Sequence, residues 1–84
     1  MIDEIIATVR DELNRAVSLY PRFASAHEGY AVLLEELDEL WEAVRLKQTN
    51  PTRAGKCRRE AVQVAAMALR FLHDCCAAEE EQEQ

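Results

Sequence analysis

Glu35, Glu36 and Glu39 crowd the run Glu35-Glu36-Leu37-Asp38-Glu39. On a helix, residues three and four apart project to neighbouring places on one surface, so Glu36 pairs with Glu39 and Glu35 with Glu39. Hard carboxylate oxygens at that spacing suit Mg²⁺, which takes few protein ligands and leaves places for substrate phosphates. The same pattern also serves as a plain solvated helix face, since acidic pairs at these steps are common on exposed helices. A further carboxylate, Glu60, stands in an apolar stretch with Val64, Met67 and Phe71. There it needs a cation or a hydrogen-bond donor, and Lys56, four residues earlier, is the local candidate. Arg53, Lys56, Arg58 and Arg59 form a basic cluster just upstream. Cations at a helix start oppose the dipole, and an anion bound there would meet both the bases and free backbone amides. Solubilising charge is the alternative. His27 reads as a surface or cap residue and Trp41 as core. Cys57 has no neighbouring histidine and is no credible nucleophile. The chain has no Gly-rich phosphate loop.

Three helices must position these groups. The first is expected over residues 3–20, where Ile5, Ile6, Val9, Leu13, Ala16, Val17 and Tyr20 recur at three- and four-residue steps; Pro21 ends it. Ser25-Ala26-His27-Glu28 is a capping box: the Ser25 hydroxyl accepts from the Glu28 amide, and the carboxylate returns a bond to Ser25. The second helix runs on to about residue 47, and Gln48-Thr49-Asn50-Pro51 breaks it. Thr52 is the expected cap of a third helix over residues 52–76. Wound at about 100° per residue, the second helix places Tyr30, Leu33, Leu34, Leu37, Leu40, Trp41 and Val44 on one side, the expected core face. Glu28, Glu35, Glu39 and Glu42 form a row opposite, flanked by Glu36. The third helix is apolar on two faces. Val62, Ala65, Ala66, Leu69, Leu72 and Cys76 make one, and Val64, Met67, Ala68, Phe71 and Cys75 the other. Its polar wedge is narrow: Lys56, Arg59, Glu60, Gln63, Arg70 and Asp74. A helix apolar nearly all round is buried nearly all round. Three helices cannot enclose one of their own, so the second apolar face, with Met67 in it, points to a partner chain.

Length and charge narrow the function classes. With 84 residues, the chain is one domain and buries a modest share of its surface. Only 2 Gly and 2 Pro argue against an all-β fold turning every few residues. The net charge is −6, and four Glu lie in residues 77–84, an expected disordered acidic tail after a single domain over 1–76. An acidic chain does not suggest a nucleic-acid groove, and the link between the second and third helices lacks the short turn of a helix-turn-helix. No apolar run is long enough to span a membrane. Met1-Ile2-Asp3-Glu4 does not resemble a basic-then-apolar leader. Three cysteines, two of them adjacent, make no disulfide framework. A cytoplasmic protein is the expectation.

The E-E-x-x-E of Glu35, Glu36 and Glu39, followed by Glu60 on another helix, resembles the MazG-type all-α nucleoside triphosphate pyrophosphohydrolases. Their pattern is E-E-x-x-E, a spacer, then E-x-x-D. Here the resemblance covers residues 25–74, and the last position is Gln63 instead of Asp. The resemblance implies an antiparallel three-helix bundle completed by oligomerisation, as a homodimer or homotetramer. It also implies hydrolysis of a (d)NTP to the monophosphate and pyrophosphate, with Mg²⁺ or Mn²⁺. Glu36, Glu39, Glu60 and Gln63 would hold the metal. Glu35 would orient or deprotonate the attacking water, and Lys56 and Arg59 would neutralise the triphosphate. Gln63, which can ligate through its carbonyl but brings no charge, leaves a second reading open: a non-catalytic helical oligomer with a degenerate metal site.

Overall fold

The computed structural model describes residues 1–77, so the acidic tail expected beyond them lies outside the described residues. All regular structure among the described residues is helical: α1 (Ile2–Leu19), α2 (Ala26–Val44) and α3 (Arg53–Phe71), which continues into wider π-type turns at Leu72–Cys76. α3 is central, with α2 and α1 both packed on it. α2 runs antiparallel to α3: Gly29 near its start faces Phe71, and the Val44 carbonyl at its end accepts from Arg53. α1 runs the same way as α3, meeting it from Val9 to Ala16. No helix among the described residues is long and apolar enough to cross a membrane.

Local chemistry sets the helix ends. The Ser25 hydroxyl accepts from the Glu28 amide at 3.1 Å. The Glu28 carboxylate returns its bond to the Ala24 amide at 3.2 Å, one residue earlier than the capping box predicts. Thr52 is the N-cap of α3 by position, but its side chain does not cap. Asn50 organises this turn instead: its Oδ1 accepts the Thr52 amide at 2.9 Å and the Thr52 hydroxyl at 2.7 Å.

The helices are rotated from the expected faces. α2 packs on α3 through Gly29, Val32, Leu33, Glu36, Leu40 and Ala43, while Tyr30, Leu34, Leu37, Trp41 and Val44 are exposed. Gly29 explains the rotation. A Cβ there would lie 2.8 Å from the Phe71 ring and 2.9 Å from the Phe23 ring, so only a glycine allows this approach. Trp41, expected in the core, is 58% exposed. Met67, expected against a partner, is buried within the chain beside Ala16 and Ala66. The polar wedge of α3 turns inward only toward its C-terminal end: Lys56 and Arg59 are exposed, and Glu60 and Gln63 are half-buried. Arg70 and Asp74 are buried side by side.

That buried pair ties α1 and the loop before α2 to α3. The Arg70 guanidinium donates to the carbonyls of Ala16 (3.1 Å), Tyr20 (2.8 Å) and Pro21 (2.7 Å); Ala16 also accepts the Tyr20 amide, while Tyr20 and Pro21 lie just past the end of α1. It also donates to Asp74 at 3.1 Å and stacks 5.3 Å from the Phe23 ring centre. Asp74 accepts the Phe23 amide at 3.0 Å and lies 2.7 Å from His73 Nδ1. Burial pushes the Asp74 carboxyl up, but the bonds from His73, Phe23 and Arg70 together hold it below its ordinary value. A buried charge left without its partner costs about 3–5 kcal/mol. Arg70→Met is therefore expected to lower unfolding free energy by about that much in urea titration, and adding Asp74→Asn should recover part of the loss. A single substitution costing under about 0.5 kcal/mol, the range of a plain surface change, would refute the latch.

Candidate functional site

The antiparallel crossing of α2 and α3 brings three carboxylates together. Glu36 and Glu39 come from adjacent turns of α2 and Glu60 from α3, and one ligand oxygen from each lies within 4.8 Å of the others. Glu36 and Glu60 are half-buried and Glu39 is exposed. Glu36 faces α3 because the glycine-set rotation turns it there with Gly29, Val32 and Ala43. Burial pushes the Glu36 carboxyl up to about 7, helped by Glu39, Glu60 and Glu35. Glu60 is raised too, by burial and by Glu39, against the pull of Arg59. Like charges at this separation cannot all ionise without cost.

Two clefts flank the cluster. One, of about 320 Å³, is lined by Glu39, Glu42, Leu46, Lys56, Arg59 and Glu60. It places both predicted phosphate-binding bases beside two of the predicted metal ligands. Among the described residues Lys56 makes no ion pair with Glu60. The other cleft, of about 390 Å³, opens between α1 and α2 over α3, and Glu36 lines it. Glu35 is exposed and lies outside the triad. Gln63 sits one turn beyond Glu60 and lines the larger cleft together with Glu12. His27 is exposed, away from the triad.

The contribution of α1 was not anticipated. Glu12 receives three hydrogen bonds from Arg15, at 2.6–3.2 Å. Arg15 holds its carboxyl below the ordinary range, against burial, and Gln63 adds to the effect. Its position carried a signal: Glu12 lies three residues after Val9 and four before Ala16, within the inward stripe of α1.

The three carboxylates suit a hard divalent cation: oxygen donors, few in number, drawn from two helices. Without one, their protonation governs stability. The folded chain binds Glu36 protons more tightly than the unfolded chain between about 4.5 and about 7, so stability falls as pH rises through that window. Melting temperature in metal-free buffer should fall from pH 4.5 to pH 7, and Glu36→Gln should flatten the decline and raise the melting temperature at the upper end. An unchanged slope in that variant would show that the cluster does not set it. Comparisons with known protein families, with curated proteins and with solved structures find no match to this chain.

Proposed function

We propose that the chain is a divalent-cation-dependent nucleoside triphosphate pyrophosphohydrolase of MazG type, converting a (d)NTP and water to the monophosphate and pyrophosphate. The supporting observation is the convergence of Glu36, Glu39 and Glu60 beside the cleft that Lys56 and Arg59 line. A carboxylate cluster alone is common on solvated helices; one drawn from two helices and walled by two bases is suited to an anionic chain.

Glu36, Glu39 and Glu60 would hold Mg²⁺ or Mn²⁺. When bound, the ion supplies charge neutralisation at phosphate oxygens and acidifies water. Lys56 and Arg59 would meet the remaining phosphate charge, strongest where it develops on the leaving pyrophosphate. Glu35, exposed beside the triad, would take the proton from water as its oxygen bonds to the α-phosphorus and the bond to the bridging oxygen breaks. Gln63, which brings no charge to the position after Glu60, favours the second reading, a non-catalytic helical oligomer with a weakened cation site.

Self-association belongs to the same proposal, with its surface moved from α3 to α2. Tyr30, Leu34, Leu37, Trp41 and Val44 alternate at four- and three-residue steps, the seam spacing of paired helices. Tyr30 and Trp41 are 64% and 58% exposed, leaving roughly 100 Å² or more of each open, given about 150–250 Å² per aromatic side chain. A continuous apolar stripe of that kind marks an interaction surface, and a second α2 would cover it.

Two measurements test this reading. Incubation with a panel of NTPs and dNTPs in Mg²⁺ should release pyrophosphate and not orthophosphate, and Glu39→Gln or Glu60→Gln should cut turnover by more than the roughly 10–100-fold typical of outer-shell changes at metal sites. Mg²⁺ should also raise the melting temperature of the parent but of neither variant. Absence of both effects would leave the non-catalytic reading. In light scattering the chain should exceed its 9.6 kDa single-copy mass, and Leu37→Glu should return it to that mass; a stable monomer would contradict self-association.

A further inference from the structure

Charge is divided unevenly along this chain. Residues 45–59 hold six of its ten Lys and Arg and no Asp or Glu. They form one end of the bundle, where α2 finishes and α3 begins. Arg45, Lys47, Lys56, Arg58 and Arg59 are exposed there. Arg53 is half-buried and donates to the Val44 carbonyl. Among the described residues none of the six makes an ion pair. The helix itself does not call for this charge, since Arg53 and Lys56 stand in the first turn of α3, where cations oppose the dipole. The opposite end of α3 is followed by Glu79, Glu80, Glu81 and Glu83. Helix α3 and its π-type continuation run unbroken to Cys76, so Lys56 lies about 30 Å back along the helix from Ala77, at roughly 1.5 Å per residue. Glu79, Glu80 and Glu81 extend at most about 14 Å beyond Ala77. They cannot lie on the basic end of their own chain, but a second copy can bring them there.

We propose that residues 79–83 of each copy dock on the basic end of a second copy, and that this charge match sets the two copies antiparallel. This rests on the α2 pairing proposed above, which brings the copies together. Exposed ion pairs are individually weak, and several act together only when both surfaces are already held at high effective concentration. A parallel pair would set the two basic ends against each other and both acidic segments at the far end. An antiparallel pair, with its two-fold axis crossing α2 near Leu37, puts the end of the second copy's α3 level with Arg45 and Lys47. Two interaxial spacings of about 8–10 Å separate that helix from α2, a gap that the acidic segment and the long Arg and Lys side chains span together. A nucleic-acid phosphate chain is the other occupant a basic end would take, and the acidic balance of the whole chain disfavours it.

Zero-length carbodiimide cross-linking tests this directly, because Lys47 and Lys56 are the chain's lysines and both lie in the basic end. Unlabelled and isotope-labelled full-length chains are mixed in urea, refolded together, cross-linked at low ionic strength and digested for mass spectrometry. Light scattering gives the size of the assembly. The expected result is amide bonds from Lys47 or Lys56 to Glu79, Glu80 or Glu81 in mixed-isotope products. Salt at about 1 M, where the screening length is about 3 Å, should remove them. Arg45→Glu with Arg58→Glu should cut their yield several-fold, although both lysines remain. Products joining these acids to a lysine with no mixed-isotope form place the segment on its own chain and overturn the proposal. A stable pair whose lysines join only Glu39, Glu42 or Glu60 also overturns it, and the α2 pairing then stands. A monomer without mixed-isotope products fails the pairing and the docking together. Duplex DNA binding at about 0.15 M salt, with the cross-links to residues 79–81 absent, assigns the basic end to nucleic acid and overturns the docking.

Discussion

Three carboxylates facing one another across the α2–α3 contact dominate the physics of this small protein. In a chain with so few fully buried apolar side chains, two of the three are half-buried, at a place where apolar contact would add stability. Their mutual repulsion and their desolvation both act against the ionised state, which is why Glu36 holds its proton to about 7. A divalent cation would remove both penalties at once.

The rest of the architecture holds that arrangement in place. Gly29 and Ala43 let α2 lie close on α3, and the rings of Phe23 and Phe71 occupy the space a side chain at position 29 would need. This fixes the rotation of α2 and so the direction of Glu36. At the far end of α3, Arg70 gathers the carbonyls at the end of α1 and pairs with Asp74, which in turn anchors the loop before α2. One guanidinium therefore sets the position of α1 against α3. Between them the two devices leave a groove over α3 with the Glu36 carboxylate in its lining.

Much of this was legible in the sequence, and the part that was not has a physical reason. Helix extents follow from Pro21, Ser25 and Pro51, and the pairing of Glu36 with Glu39 follows from spacing, whereas the joining of Glu60 to them is what the resemblance implied. The rotation of α2 did not follow, because its most apolar stripe is the exposed one. A period of 3.6 locates an apolar face but does not say whether it meets the same chain or another. Gly29, which settles the matter, looks in sequence like an ordinary weak helix residue. Arg70 and Asp74 read as a polar wedge because charged side chains are rarely buried unless paired, and the pair's other partners are backbone groups of α1 and its loop. Gln63 was placed by its motif position, whereas Glu12, which lines the same cleft, lies in a helix the motif does not include.

The central claim is that Glu36, Glu39 and Glu60 form a divalent-cation site. Titration of isotope-labelled protein with substoichiometric Mn²⁺ at pH above 7 tests it most directly, through paramagnetic broadening of side-chain and amide resonances. The account predicts that signals around Glu36, Glu39 and Glu60 broaden first and together, and that excess Mg²⁺ restores them. Broadening spread evenly over the exposed acids, Glu35 and Glu42 as much as Glu36, would contradict it.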